Sequence, residues 1–218
     1  MPSGPLEGVP LLVNVLLATS PRRILDFGMG TGKWGFLLRE QHDLTQGRWE
    51  LTIDGVEGYE PYIHEHQRAI YDAITVSDVR EYVAECSAGE YDIALVLDLI
   101  EHFPPAIARE FIRDTLRVAH VVAIATPKRF YPQTEHPNEL EHHKSWWPVG
   151  ALRRLATECQ AAASITQLRM TNLALLSRNG KPPPLKVGRL ADAAAHAKDR
   201  LIPERFYYRV LGKTGPTI

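Results

Sequence analysis

The 218-residue chain has few cysteines, little net charge and no long apolar run. Its two cysteines, Cys86 and Cys159, lie far apart and in no partner motif, which argues against a disulfide framework or a zinc site and favours a reducing cytoplasm. A net charge of −1 provides no general basic field for nucleic acid. The longest apolar run, residues 9–18, is too short to span a bilayer and has no basic region before it. We therefore expect a cytoplasmic protein without a signal peptide, whose first helix packs on a sheet.

The C-terminal part of the chain differs from the rest in its charge. From residue 181 onward, eight Lys and Arg residues stand against three Asp and Glu residues. We predict one domain over residues 1–180 and a basic C-terminal extension over residues 181–218 that packs on the acidic remainder. A second interpretation is that the extension binds an anionic acceptor.

Apolar strand-like runs alternate with amphipathic helical runs along most of the chain. Residues 91–97 form a nearly continuous apolar run, which is typical of a strand buried on both faces. A proline pair opens the helical run over residues 106–117, where proline is tolerated in the first turn. The pattern predicts an α/β fold: a doubly wound, mostly parallel, seven-stranded Rossmann-like sheet with helices on both faces. Ligands of such sheets lie at the carboxyl ends of the strands.

The most informative segment is a glycine-rich turn after the first predicted strand. Its sequence is Asp26-Phe27-Gly28-Met29-Gly30-Thr31-Gly32, and an amphipathic helix follows over residues 33–41. Alternating glycines let a ligand approach the backbone, and the helix N-terminus offers N–H groups to an anion. Gly35 completes the G-x-G-x-x-G spacing of dinucleotide sites, and Glu57 lies 22 residues later, where an acid can bind ribose hydroxyls. This spacing by itself fits an NAD site.

Asp26 discriminates between nucleotide-like cofactors because it places a negative charge at the entrance of the turn. A pyrophosphate would be repelled there. A zwitterionic amino-acid group would instead place its ammonium on Asp26 and its carboxylate on the backbone amides of the turn. Asp26 therefore favours a cofactor that ends in an amino acid.

The same turn resembles the D-x-G-x-G-x-G motif of class I S-adenosylmethionine-dependent methyltransferases. The resemblance continues in Gly55-Val56-Glu57, in Ser77-Asp78-Val79, and in the D-x-x-E-H sequence that begins at Asp98, which is common in the small-molecule members. It implies S-adenosylmethionine as cofactor and S-adenosylhomocysteine as product, with Glu57 on the ribose hydroxyls and Asp78 on the adenine amino group. Asp54 competes with Glu57 but lies inside the strand. The implied cofactor-binding residues are Asp26, Phe27, Gly28, Gly30, Gly32, Glu57, Asp78, Val79 and Asp98.

An acidic and histidine-rich cluster is the candidate catalytic group. Asp98, Glu101 and His102 fall on one side of a helical turn after the fourth strand, and His143 lies in the loop after the fifth. In one interpretation His102 or His143 is a general base. In a second, Asp98, Glu101, His102 and His143 bind a divalent cation, as the similar E-x-x-E-H cluster and distant His of small-RNA 2′-O-methyltransferases imply. In a third, Glu101 and His102 only brace the pocket.

These observations predict methyl transfer to an oxygen or nitrogen of a small-molecule acceptor. The fourth strand ends in Asp98-Leu99-Ile100-Glu101 rather than a D-P-P-Y-like motif, which argues against amino-methylation of DNA bases. The near-neutral charge also disfavours a nucleic-acid substrate. The alternatives are a metal-assisted RNA 2′-O-methyltransferase, an NAD-dependent oxidoreductase and a non-catalytic S-adenosylmethionine-binding protein. The oligomeric state stays open.

Overall fold

Seven strands and six α-helices alternate along the computed structural model, which describes residues 4–186. The strands are β1 (Arg23–Phe27), β2 (Thr52–Glu57), β3 (Ala73–Val76), β4 (Tyr91–Leu97), β5 (Ala119–Pro127), β6 (Ala162–Gln167) and β7 (Thr171–Ser177). The helices are α1 (Val9–Leu17), α2 (Lys33–His42), α3 (Glu65–Ile70), α4 (Val79–Glu85), α5 (Pro105–Val118) and α6 (Val149–Glu158).

The strands form one sheet in the order β3-β2-β1-β4-β5-β7-β6. The first five strands are parallel, and β7 pairs antiparallel with both β5 and β6. The predicted fold class, a mostly parallel seven-stranded sheet, is therefore confirmed. The strand order reverses where β1 lies beside β4, and ligands of open α/β sheets bind at such a reversal.

Two hydrophobic cores cover the two faces of the sheet. One contains Leu25 and Phe27 of β1 together with side chains of α4, α5 and α6. The other contains Ile24 of β1 together with side chains of α1 and α2. Successive strand residues point to opposite faces. Asp26 therefore points to the face of Ile24, toward α2, while its neighbour Phe27 points the other way.

The helix ends follow simple signals in the sequence. Asp78 caps α4 by accepting a 2.8 Å hydrogen bond from the backbone N–H of Arg80. Helix α5 begins at Pro105, where a missing N–H costs nothing. Helix α1 covers most of the apolar run predicted to pack on the sheet, and its Leu12 and Leu16 are fully buried. Within residues 4–186, no helix has the length and apolar character needed to cross a membrane.

The compact unit that contains the sheet ends at Leu185, which is buried and donates a 2.8 Å backbone hydrogen bond to Ser164 Oγ in β6. The basic extension predicted over residues 181–218 lies outside the described residues from residue 187 onward. Its packing on the domain stays a prediction.

Candidate active site

A cavity of about 990 Å³ opens at the carboxyl ends of the parallel strands. Its wall contains residues that directly follow or end β1 to β5, as expected for this sheet. The site residues in that wall are Gly28, Gly30, Glu57, Asp78, Val79, Asp98, Glu101, His102 and His143. The topology thus brings together most of the residues that the sequence identified separately.

The glycine turn uses its backbone amides within the protein. The N–H groups of Gly28 and Met29 donate to the carbonyl of Val56, and that of Gly32 donates to the carbonyl of Met29. The Gly30 N–H donates a 3.0 Å hydrogen bond to Glu57 Oε2. Four amides of the turn therefore already have an acceptor within the protein, and their binding of the carboxylate of a zwitterion stays a prediction.

Asp26 lies at the end of β1 and is buried, but it is not part of the cavity wall. Its Oδ2 accepts a 2.6 Å hydrogen bond from the hydroxyl of Tyr71. Burial raises the pKa of Asp26 to about 7, although the Tyr71 hydrogen bond opposes that rise. The pKa is also raised by the nearby Glu57 and lowered by Lys33. Asp26 is thus poised to change its charge near neutral pH.

Besides Asp26, two further predicted cofactor residues, Phe27 and Gly32, do not line the cavity. The Phe27 ring packs edge-on against Tyr82 and Phe111 in the core, because strand alternation points it away from Asp26. Its side chain is therefore part of the core, and the predicted role of Phe27 in cofactor binding stays a prediction. Gly32 has a φ of +76° and faces α3, where an added Cβ would lie 2.9 Å from the side chain of Gln67. Gly32 serves the turn rather than the cavity wall.

Glu57 lies where β2 reaches the cavity and connects the strand to the glycine turn. Its Oε1 accepts from the Tyr59 N–H at 2.9 Å, and its Oε2 accepts from Gly30. Each carboxylate oxygen keeps a second lone pair for a ligand hydroxyl. The competing acid, Asp54, instead pairs with Arg23 at 2.9 Å and accepts from the Tyr91 hydroxyl, so it has a structural role away from the cavity.

Asp78 and Asp98 enter the cavity from the ends of β3 and β4. The Arg80 guanidinium holds the pKa of the Asp78 carboxyl below its usual value. Asp98 has a φ of +54°, a conformation uncommon for a residue with a side chain and often found at functional sites. Burial raises the pKa of Asp98, and the nearby Lys33 ammonium opposes that rise.

Glu101, His102 and His143 form a compact buried cluster at one end of the cavity. One ligand atom from each lies within 4.8 Å of the other two, and the two imidazole rings have centroids 4.9 Å apart. Neither carboxylate oxygen of Glu101 has a hydrogen-bond partner among the described residues, although the side chain is 2% exposed. Burial, together with the nearby Asp98, raises the pKa of Glu101 well above its usual value, so the group favours its neutral acid form. Asp98 is not part of this group of three.

The loop after β5 is fastened to the turn that carries Glu101 and His102. The backbone N–H groups of Lys144 and Ser145 both donate to the Glu101 carbonyl, at 2.7 and 3.0 Å. The Ser145 hydroxyl donates to the Ile100 carbonyl. These bonds join residues more than 40 positions apart and hold His143 against His102.

Both imidazoles have environments that keep them neutral. Burial is the main cause that lowers the pKa of His102 to about 4, and the neighbouring His143 lowers it further. Burial also lowers the pKa of His143. The Nδ1 of His102 lies 3.3 Å from the His142 carbonyl, which selects the tautomer that leaves Nε2 without a proton. A neutral imidazole can accept a proton or bind a metal ion.

Three residues of the site had no assigned role in the sequence. Tyr71 reaches Asp26 from the end of α3, and no motif marks it. Tyr131 lines the cavity and lies against His143, with ring centroids 4.5 Å apart. Lys33 directly follows the glycine turn and lines the cavity. Its position next to Gly32 is the sequence feature that could have identified it as a site residue. Of the tryptophan pair, Trp147 is buried and Trp146 is exposed, and neither lines the cavity.

Comparison with known proteins gives one family and a shared fold. A family model described as a methyltransferase domain matches residues 9–175. No curated protein matches the chain.

Several solved structures share the fold at low sequence identity. The N-terminal domain of EvdMO1, determined in the presence of SAH and D-fucose, aligns with a TM-score of 0.57 and 15% identity over 78% of this chain and 82% of that one. An O-methyltransferase family protein from Burkholderia thailandensis aligns with a TM-score of 0.57 and 14% identity over 78% of this chain but 56% of that one. Magnesium protoporphyrin IX methyltransferase (ChlM) from Synechocystis PCC 6803 with bound SAH aligns with a TM-score of 0.53 and 17% identity, over 79% of this chain and 82% of that one.

Proposed function

The chain belongs to the methyltransferase-domain family, and on that premise we propose that it transfers the methyl group of S-adenosylmethionine to an oxygen or nitrogen of a small-molecule acceptor. The observation that carries the proposal is the cavity at the strand ends. It combines the acids of three successive strand ends, Glu57, Asp78 and Asp98, with two neutral histidines.

The proposed cofactor-binding residues lie at the ends of different strands and contact different parts of the cofactor. Glu57 accepts hydrogen bonds from the ribose hydroxyls with the lone pairs that Gly30 and Tyr59 leave free. Asp78 accepts from the adenine amino group, and Val79 packs against the base. Gly28 allows the cofactor close to the turn. A Cβ there would lie 3.1 Å from Leu99, in a backbone conformation with φ of +65°.

The charges at the end of β1 fit an amino-acid group. Ionised Asp26, in β1, provides a negative charge for the cofactor ammonium. Asp98 adds a second negative charge in the cavity wall. S-adenosylmethionine, when bound, supplies a methyl group on a positive sulfonium, which is already reactive. The protein therefore mainly positions the acceptor, excludes water and removes a proton.

His102 and His143 are the proposed catalytic residues. Each is neutral at pH 7 and lines the cavity, so either can accept the proton that an acceptor hydroxyl or amine loses during transfer. The pKa of His102 near 4 makes that residue a weak base. The backbone contacts of the β5–α6 loop hold the two rings together, which keeps the base within reach of one acceptor atom.

Apolar side chains around the cavity favour an acceptor with an apolar part. Leu6, Tyr131, Leu140 and Met170 are exposed to solvent, yet all line the cavity. They come from the N-terminal segment, the loop after β5 and the β6–β7 turn. A group of exposed apolar side chains around one cavity is typical of a ligand-binding site. A small organic acceptor with one hydroxyl or amine fits both this rim and the histidines.

A second candidate is metal-assisted transfer, favoured by the unpaired Glu101 carboxylate. Glu101, His102 and His143 would bind a divalent cation, which lowers the pKa of an acceptor hydroxyl. The carboxylate and two neutral imidazoles suit Zn²⁺ or Mn²⁺ as donors. In this candidate the histidines are ligands rather than bases.

Calorimetric titration with S-adenosylhomocysteine, with NAD as the comparison ligand, tests the cofactor assignment. We expect S-adenosylhomocysteine to bind and NAD to give no heat, and the reverse result would overturn the proposal. A methyl-transfer assay against hydroxylated and aminated apolar compounds then separates an enzyme from a protein that only binds the cofactor. An acceptor affinity that falls steeply with salt would instead indicate RNA.

A further inference from the structure

Lys33 is the first residue of α2 and the only half-buried cation among the described residues of the cavity wall. The other cationic side chains in that wall, Arg80, Lys144 and Arg169, are exposed. Arg80 is also engaged with Asp78, through a 2.5 Å ion pair. A positive charge inside the cavity at the end of β1 therefore comes from Lys33.

The neighbours of Lys33 are acidic. Its ammonium interacts electrostatically with Asp98 first and with Asp26 second, and burial lowers its pKa while both acids raise it. Positive and negative groups thus face the same part of the cavity. Four amides of the glycine turn are less suited to bind an anion there, because each already has an acceptor within the protein.

The Lys33 ammonium donates a 3.0 Å hydrogen bond to the carbonyl oxygen of Gly4. Gly4 also touches Asp98, since a Cβ on Gly4 would lie 1.6 Å from Asp98 Oδ2. The N-terminal backbone therefore lies between Lys33 and Asp98 and gives the ammonium an oxygen acceptor. A carboxylate is a stronger acceptor than a peptide carbonyl for the same cation.

We propose that Lys33 binds the α-carboxylate of the cofactor's amino-acid end, and that this carboxylate replaces the Gly4 carbonyl as its acceptor. The inference rests on the proposed function, since it assumes a cofactor with an amino-acid end. It assigns the two charges of the zwitterion to different groups: the ammonium to Asp26 and Asp98, and the carboxylate to Lys33.

Three ligands of decreasing size test this assignment by calorimetric titration. S-adenosylhomocysteine carries both charges, decarboxylated S-adenosylhomocysteine keeps only the ammonium, and methylthioadenosine has neither. For Lys33→Met we expect a loss of roughly 10- to 100-fold in affinity for S-adenosylhomocysteine, as for a charge-assisted hydrogen bond. The affinities for the other two ligands should change less than about twofold, since neither ligand offers a carboxylate. Lys33→Arg should retain most of the affinity because it keeps the charge.

Other outcomes separate the two proposals. If Lys33→Met lowers the affinity for all three ligands equally, Lys33 only anchors the N-terminal segment and the inference is wrong. Unchanged binding of S-adenosylhomocysteine by Lys33→Met also overturns it, while leaving the proposed function intact. If the unmodified protein binds none of the three ligands, the proposed function itself fails. Asp26→Asn gives the complementary pattern, with losses for both ligands that carry the ammonium.

Discussion

The hydroxyl of Tyr71 donates a 2.6 Å hydrogen bond to the carboxylate of Asp26, which lies 45 residues earlier in the chain. The same hydroxyl accepts a 3.3 Å hydrogen bond from the N–H of Gly35. Glycines on two elements leave room for the ring: a Cβ on Gly35 would lie 2.4 Å from Tyr71 Cζ, and one on Gly55 would lie 3.0 Å from its Cδ1. The third glycine of the G-x-G-x-x-G spacing therefore accommodates a tyrosine that orients Asp26.

Cofactor binding should depend on pH through Asp26. Its pKa of about 7 means that the carboxyl is mostly protonated at low pH and becomes ionised as pH rises through 7. Since the cofactor ammonium pairs with the ionised form, affinity for S-adenosylhomocysteine should increase by about tenfold from pH 6 to pH 8. Titration calorimetry at several pH values measures this. Asp26→Asn should bind more weakly and lose the dependence, and a dependence that survives in Asp26→Asn would assign it to another group.

Removing the Tyr71 hydroxyl should move that pH dependence upward. The hydrogen bond from Tyr71 lowers the pKa of Asp26, so in Tyr71→Phe the carboxyl ionises at a higher pH. We expect the midpoint of the affinity curve to rise, with recovery of binding at high pH, and a stability loss of about 1–2 kcal/mol. An affinity curve that drops uniformly at every pH would show that Tyr71 acts by packing alone.

A methyl group at Gly35 should disturb the hydrogen bond between Tyr71 and Asp26. Because the added Cβ would clash with the Tyr71 ring, Gly35→Ala should destabilise the protein by about 1–3 kcal/mol. It should also weaken the binding of S-adenosylhomocysteine. Gly150→Ala in α6 is the matched control, since its Cβ meets nothing closer than Arg154 at 3.7 Å. Denaturant unfolding should show no loss for the control. Equal stability of the two variants would contradict the packing described for Tyr71.

The two cavity histidines should control turnover rather than cofactor binding. His102→Gln and His143→Gln should each lower kcat by about 100- to 10,000-fold if the residue is the base, and leave S-adenosylhomocysteine affinity within a few-fold. His120→Gln is a suitable control because this exposed histidine bonds Asn179 and does not line the cavity. Full activity in both cavity variants would remove them from the mechanism.

Chelation separates the two catalytic candidates. If His102 or His143 acts as a base, methyl transfer should be unchanged after dialysis against EDTA. If Glu101, His102 and His143 bind a cation, the rate should fall and return on addition of Mn²⁺ or Zn²⁺. Glu101→Gln should then prevent that recovery, because an amide is a weaker ligand for a cation than a carboxylate.

The sequence determined the fold and the location of the site. Strand and helix periodicities predicted the seven-stranded sheet, and the family match confirmed the resemblance to methyltransferases. The residues that follow each parallel strand necessarily meet at one edge, so the wall positions of Glu57, Asp78 and Asp98 needed no knowledge of packing. The local i, i+3 and i+4 spacing likewise indicated that Asp98, Glu101 and His102 reach one cavity, but Asp98 precedes the 3₁₀ turn Ile100–His102 and lies outside the cluster with His143.

Only the tertiary structure decided how the site residues are paired. Strand alternation turned Phe27 into the core and Asp26 toward Tyr71, and the folded turn engaged the amides that a zwitterion was expected to use. The pKa of Asp26 near 7 and that of His102 near 4 arise from burial, which depends on neighbours from distant parts of the chain. The contacts of the Lys33 ammonium were also decided by the tertiary structure. Lys33 lies next to Gly32 in sequence, but its acceptor is the carbonyl of Gly4 and its nearest acid, Asp98, follows β4.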